Sequence, residues 1–374
     1  MKKKLLIFSS IGLLIIISAI VFWRLSLSKP LPIPKVDLRP IEQDINPQGS
    51  GQISPEKARE IAGNIIKWLD SMKNEKGRYL LFEDCLGGEG CQKSTETNKQ
   101  YGLYVLWARY KNFLNTNKEV DLVKIKNDII ILTTPEIGFP AQNDSYNCKL
   151  MWEMSQSEVF DKENKEAIDQ VCIGSIHFGP EMNEFNRSIK QKKYDLDPKI
   201  DEVIEGKVLD KWEIANSLAF NKYALYASDL TYVYYYLGNN DDLDAAKFYF
   251  DMALQIISNK DNKLEDAVLG IASIDLYKAT KEAKYLDFAN YFLQAKSKIG
   301  CNSAEDCAYY IMFLQELSKI NNNQDIKTEL NKVVQLLMSK SYNRELSLYH
   351  NFQSKTYHTR VNALIAGVLA DLTE

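Results

Sequence analysis

The stretch Leu276-Tyr277-Lys278-Ala279-Thr280-Lys281-Glu282-Ala283-Lys284-Tyr285-Leu286-Asp287-Phe288-Ala289 decides the fold. Apolar residues recur at helical spacing before it, over 264–280, and after it, over 283–298. It therefore reads as the end of one helix, a tight turn and the start of the next. Outward from it, further helical runs fall near 213–237, 242–258, 304–320, 325–340 and 357–373. Gly238-Asn239-Asn240, Asn259 to Asn262, Gly300 to Ser303 and Asn321-Asn322-Asn323 separate them as turn chemistry. In the last run Val361, Leu364, Ile365, Val368, Leu369 and Leu372 share one face. Tyr236-Leu237-Gly238 leading to Ala246-Lys247-Phe248 repeats as Tyr277-Lys278-Ala279 leading to Ala289-Asn290-Tyr291. The period is about forty residues, one helical hairpin, and hairpins that cannot bury their own apolar faces must stack.

Nearer the N-terminus, Ala58, Ile61, Ala62, Ile65, Ile66, Leu69 and Met72 form one apolar helical face. Ser54 is placed to cap this helix, Pro55 to open it and Gly77 to end it. A second helix is expected from about Gln100 to Leu114 and a third from about Val120 to Leu132. Residues 133–210 read as long loops with one or two helices around Leu150–Val171.

The hairpin rhythm resembles the (α/α) toroid superfamily, which includes six-hairpin glycosidases, sugar epimerases and polysaccharide lyases. The phrase that carries the resemblance is a helix end followed by a T-x-x-x-K-Y-L turn, here Thr280, Lys284, Tyr285 and Leu286. It extends over roughly 213–373 and, more loosely, over Trp68 to Arg78. It implies an all-α body whose inner helices surround a funnel, with acidic and aromatic residues at one mouth binding sugars. The helices legible in sequence fall short of a full six-hairpin ring, so an incomplete ring or an open solenoid stays open. No family's catalytic signature is complete, so no catalytic residue is carried over.

The first residues set the expected location. Lys2, Lys3 and Lys4 precede the uncharged run 5–23, which as a helix rises roughly 28 Å, close to the ~30 Å hydrocarbon core. Trp23 falls at the interfacial belt, and the preceding lysines favour a cytoplasmic N-terminus with the body outside. Pro30, Pro32, Pro34, Pro40, Pro47 and Pro55, of ten prolines in all, follow as an extended tether. The expected organisation is a stub and transmembrane anchor over 1–24, a Pro-rich linker over 25–55 and an extracytoplasmic helical domain over 56–374.

Six cysteines, an even number, agree with export. Cys85 with Cys91 and Cys301 with Cys307 share one spacing, so the expected pairs are Cys85–Cys91, Cys148–Cys172 and Cys301–Cys307. A zinc site would want shorter cysteine spacings or nearby histidines, and the chain has only three histidines. No metal or cofactor is expected.

Hydrophobic residues make up 45% and charged residues 26%, which excludes wholesale disorder. A net charge of −4 offers no basic field for nucleic acid. There is no G-x-S-x-G, H-E-x-x-H, P-loop or G-x-G-x-x-G motif. The candidate chemistry is carboxylate chemistry, because glycoside hydrolysis uses two carboxyl groups flanking one bond. Asp229, in a helix crowded with Tyr223, Tyr226 and Tyr232, is the most unusual acid, since a carboxylate among apolar residues needs a partner. Glu83 and Asp84 before Cys85, and Glu181 and Glu184 after His177, are the other acidic groupings. His358 and Arg360 open the last helix, where a histidine could serve as acid or base. Catalytic candidates are thus Asp229, Glu83, Asp84 and His358; binding candidates are Tyr226, Tyr223, Arg360, Glu181 and Glu184. The length of 213–237 and its alanines Ala215, Ala219, Ala224 and Ala227 mark it as an inner helix. Two readings stand: an envelope protein that binds or processes glycans, or a noncatalytic helical scaffold that binds a protein or peptide at the cell surface.

Overall fold

The computed structural model describes residues 53–85, 91–98, 101–133, 147–173, 176, 185, 200–201, 220–259, 267–321, 323–352, 354 and 356–372. Among these residues no helix is long and apolar enough to cross a membrane. The expected span at 5–23 and the linker up to residue 52 lie outside them.

The described residues hold twelve helices: α1 Pro55–Ser71, α2 Tyr101–Thr116, α3 Glu119–Thr133, α4 Asn147–Ser155, α5 Lys162–Cys172, α6 Phe220–Leu237, α7 Asn240–Asn259, α8 Ala267–Thr280, α9 Ala283–Ile299, α10 Ala304–Ser318, α11 Gln324–Ser341 and α12 Thr359–Ala370. The even-numbered helices form a ring. α2 packs on α4, α4 on α6, α6 on α8, α8 on α10, α10 on α12, and α12 returns to α2. The odd-numbered helices lie outside them. The ring is closed, so neither the incomplete ring nor the open solenoid is adopted. The 213–237 run supplies inner helix α6, with residues 213–219 outside the described set.

Inner and outer helices differ as their sequences do. On α1 only Ala58, Ile61, Ala62, Ile65 and Leu69 are buried, one stripe on an amphipathic helix. On α2 every residue from Gly102 to Phe113 is buried, and on α8 every residue from Ala267 to Leu276. A helix enclosed by neighbours on all sides has no polar face to show.

Each outer helix runs against the inner helix that follows it, so all inner helices run the same way. Their N-termini share one end, the mouth, and their C-termini the other, the base. At three of the base turns the inner helix ends on a residue with positive φ: Asn117 (49°), Gly238 (65°) and Lys281 (62°). Each donates its N–H to the carbonyl four residues back, at 2.7–2.8 Å, a left-handed C-cap. This explains the signature turn. Thr280 Oγ1 donates to the Leu276 carbonyl at 2.8 Å and accepts from the Glu282 N–H at 3.1 Å, while Lys284 pairs with Glu282 at 2.9 Å. Tyr285 and Phe288 are then buried.

Several expectations at the mouth are corrected. The all-α class holds, with short strands added at the mouth: β1 Phe82–Asp84, β2 Gln92–Lys93 and β5 Thr356–His358 form an antiparallel sheet in the order β2-β1-β5. β3 Tyr342–Asn343 and β4 Leu348–Tyr349 form a hairpin. α1 ends at Ser71, because Asn74 starts a turn in which its Oδ1 accepts the N–H groups of Lys76 and Arg78. Gly77 (φ 73°) sits in that turn rather than at the helix end. The last helix begins at Thr359, not at residue 357, because Tyr357 and His358 pair with Glu83 and Phe82. The Leu150–Val171 region resolves into α4 and α5. The disulfides are Cys85–Cys91, Cys148–Cys172 and Cys301–Cys307, as expected.

Candidate functional site

A cavity of about 290 Å³ opens at the mouth between α2, α10, α12 and β4. That is near the lower end of small-ligand cavities, roughly 300–1,000 Å³. Its lining includes Tyr101, Ser303, Glu305, Tyr349, Asn351, His358 and Arg360.

Local structure holds these side chains firmly. The Ser303 hydroxyl accepts the Asp306 N–H at 3.1 Å and starts α10, placing Glu305 in its first turn. The Cys301–Cys307 disulfide brackets that turn. Buried Lys296 bonds both Asp306 oxygens at 2.9–3.0 Å, and the Asn302 N–H reaches Asp306 at 3.0 Å. Glu305 therefore projects from a turn fixed on both sides. Its Oε1 accepts from Arg360 at 2.5 Å. The Arg360 guanidinium lies over the Tyr104 ring, 5.9 Å from its centroid, a cation–π contact. Buried Asn362 exchanges two hydrogen bonds of 2.8 Å with the Tyr349 backbone and donates to the His358 carbonyl at 3.1 Å. It joins β4 to the start of α12.

His358 is half-buried, edge-on to Phe82 at 5.8 Å. Burial pushes its imidazole below the ordinary 6.5, reinforced by Arg360 and opposed by Glu305. At neutral pH the ring is uncharged and can accept a hydrogen bond. The site thus offers one ion pair, one neutral imidazole, aromatic walls and neutral polar groups.

The structure brings His358 and Arg360 together here and sets Glu83 and Asp84 on the strand beside β5. Glu83 Oε2 accepts from the Trp68 indole at 2.5 Å, and neither acid lines the cavity. Asp229, Tyr223 and Tyr226 lie elsewhere. Tyr223 and Tyr226 pack on Tyr249 of α7, at 5.8 and 5.4 Å. Asp229 is fully buried, and its Oδ1 accepts the Cys148 N–H at 3.2 Å. It closes the N-terminus of α4, where a negative charge also meets the helix dipole. Asp229 and His358 do not share this cavity. Glu181 and Glu184 lie outside the described residues.

Asp229→Ala is expected to lower stability by about 1–3 kcal/mol, the cost of a buried N–H left unpaired. Equilibrium denaturant unfolding of the variant beside the unmodified chain checks the loss.

Sequence reading missed Glu305, Tyr101, Tyr349 and Asn351. The available signal was Ser303-Ala304-Glu305-Asp306 inside a Cys301–Cys307 loop, a capped first turn held by a disulfide.

No family model matches the chain, and no curated protein matches it in sequence. Solved structures do match in fold. A protein from Listeria innocua covers 84% of this chain and 97% of its own, at 15% identity and a TM-score of 0.56. An α-1,6-mannanase of glycoside hydrolase family 76 from Salegentibacter, in complex with a mannotetraose, covers 84% and 98% at 14% identity and 0.55. A family 76 mannosidase from Bacteroides thetaiotaomicron covers 84% and 97% at 13% identity and 0.52. The fold is the (α/α) toroid. At these identities the likeness carries the architecture and not the activity.

Proposed function

We propose that this chain is an extracytoplasmic (α/α) toroid, anchored by the apolar run 5–23, that binds an oligosaccharide at its mouth. The observation that carries the reading is the cavity in which the Glu305–Arg360 pair and neutral His358 stand between Tyr101 and Tyr349. Fixed charges and neutral polar groups satisfy sugar hydroxyls in defined directions, and aromatic rings cover the apolar faces of pyranose rings. Three disulfides fit an oxidising compartment.

One feature favours recognition over turnover. Hydrolysis at this mouth needs a second carboxyl group opposite Glu305, and Glu305 is the one acid among the lining residues described. The Salegentibacter mannanase has an inactive variant replaced at two consecutive aspartates. The consecutive aspartates of this chain, Asp241 and Asp242, are in the first turn of outer helix α7, which begins at the base.

The test is calorimetric titration of the full chain with α-1,6-mannotetraose and with a heparin-derived unsaturated disaccharide, alongside reducing-end release. Binding of at least one sugar is expected, lost in Arg360→Ala and Glu305→Gln while their thermal unfolding stays near that of the unmodified chain. Unchanged affinity in both variants, or no binding of either sugar, would overturn the reading. Released reducing ends would turn it from recognition to catalysis.

A further inference from the structure

The base, opposite the cavity, exposes apolar and aromatic side chains on adjoining sectors. Leu114 at the end of α2 and Val120 and Val123 at the start of α3 are 50, 60 and 52% exposed. Ile130, at 59%, lies on the same face of α3 but toward the mouth, outside this surface. On the next sectors Trp152 of α4 stacks on Tyr235 of α6 at 5.3 Å and meets Tyr236 edge-on at 4.9 Å, all three part-exposed. Leu237, at the end of α6, is 41% exposed.

We propose that this base is a membrane-contacting surface that docks the domain on a lipid bilayer with its cavity facing away. The proposal goes beyond the anchoring proposed above and rests on it for the nearness of a membrane. Three observations support a lipid occupant over a protein one. The side chains are of the kinds that settle at a bilayer interface: aliphatic tips for the acyl boundary, and Trp152 and Tyr235 with an apolar body and a polar edge for the headgroups, while Tyr236, its hydroxyl buried, only backs Trp152. The described chain also begins at this end. Ser54 caps α1 through the Lys57 N–H, and α1 runs from base to mouth, where the Leu80 and Leu81 carbonyls bond Thr359. The residues that precede Ile53 include the apolar run 5–23, so the chain reaches the body at its base. Finally, Lys118 stands exposed beside Glu119 at the same end, and the ammonium of exposed Lys319 is held by Glu316 at 2.8 Å, so the base carries no net basic patch. The attraction is therefore chiefly apolar and should survive high salt.

The experiment uses the full chain in phosphatidylcholine–phosphatidylglycerol vesicles containing a phospholipid with a diazirine in its acyl tail. After photolysis, adducts are mapped by mass spectrometry. Adducts are expected in peptides covering Leu114–Val123 and Trp152 or Tyr235–Leu237, at low and high salt. Val120→Asp with Val123→Asp, both at exposed positions, should abolish those in the first peptide and leave unfolding unchanged. Labelling of 5–23 without labelling of the base overturns the proposal, as does body labelling confined to mouth residues such as Leu346. Body-to-body crosslinks in place of base adducts would assign the surface to a second copy and also overturn it. Base adducts without labelling of 5–23 uphold the surface while refuting the anchor. Absence of both refutes both.

Discussion

Lys149→Met is expected to lower the unfolding free energy by about 3–5 kcal/mol, the usual cost of removing one partner from a buried ion pair. Lys149 is 1% exposed, and its ammonium sits 2.9 Å from Asp275, 2.9 Å from the Tyr232 hydroxyl and 3.6 Å from Glu316. Asp275, wholly buried, also accepts from Ser228 at 2.6 Å and from Tyr232 at 2.8 Å. The network continues through Lys278 and Lys319 on Glu316, and through Lys111 between Glu153 and Asp371 at 3.0 and 3.3 Å. It therefore joins α2, α4, α6, α8, α10 and the end of α12 across the base. Methionine fills the volume of the stem but leaves Asp275 charged and short of its principal donor. Equilibrium denaturant unfolding measures the loss, and a change below about 1 kcal/mol, typical of an exposed pair, would contradict it. Asp275→Asn in the Lys149→Met background should recover part of the loss, because it removes the stranded charge.

The same network sets the acid limit. Burial alone would raise Glu316, but Lys149, Lys278 and Lys319 hold it well below the usual carboxylate range. Burial likewise opposes Glu153, which Lys111, Lys149 and the Trp107 indole bring below 4.5 against the repulsion of Glu316. A carboxyl with a lowered folded pKa contributes stability that is present above its unfolded value and lost as pH falls through the folded one. Stability from this network should therefore decline below about pH 4.5. Lys149→Met should make that decline shallower, since it removes a cation that lowers both acids.

None of this network was legible in the sequence. Lys149, Asp275 and Glu316 lie far apart along the chain, and a lysine or an acid in a helix is ordinarily a solvated one. Only the curvature that brings α4, α8 and α10 to one axis puts them in contact. What was legible was local. The stripe on α1 and the turns at Gly238 and Thr280-Lys281 each follow from neighbouring residues. The repeated spacing pointed to Cys85–Cys91 and Cys301–Cys307, each separated by six positions, and Cys148–Cys172 was the pair that remained. Ring closure was hidden by α4, only nine residues long, between segments rich in proline. The strand β5 was hidden because Thr356-Tyr357-His358 runs directly into a helix, and strand pairing with β1 is a contact across most of the chain.

The candidate site divides in the same way. His358 and Arg360 drew notice because histidine is rare in this chain and both open an apolar helix. Glu305 did not, since an acid in a first turn is the commonest way to complement a helix dipole. Asp229 stood out for being an acid among tyrosines, and its burial follows from that. Its partner is a backbone N–H on a helix distant in sequence, which side-chain patterning does not reveal.

Gly367→Ala should destabilise the ring at its seam, against the sign expected of the same change in an ordinary helix. There alanine is favoured by about 1 kcal/mol. Gly367 lies in α12 where it packs on α2, the contact that returns the last inner helix to the first. A Cβ built on it would fall 1.9 Å from Cζ3 of Trp107 and 2.4 and 2.6 Å from two further ring atoms. The indole cannot readily give way, because it is 2% exposed and its Nε1 donates to Glu153 at 2.9 Å. Overpacking a well-filled core costs about 1–3 kcal/mol, and here α12 must move off α2 or Trp107 must leave Glu153. Thermal unfolding should show the loss directly. In a Trp107→Leu background, itself destabilised, the added cost of Gly367→Ala should shrink, because the atoms that collide are gone. An equal cost in both backgrounds would mean that the penalty arises elsewhere along α12, and a stabilising Gly367→Ala would mean that the two helices do not meet this closely.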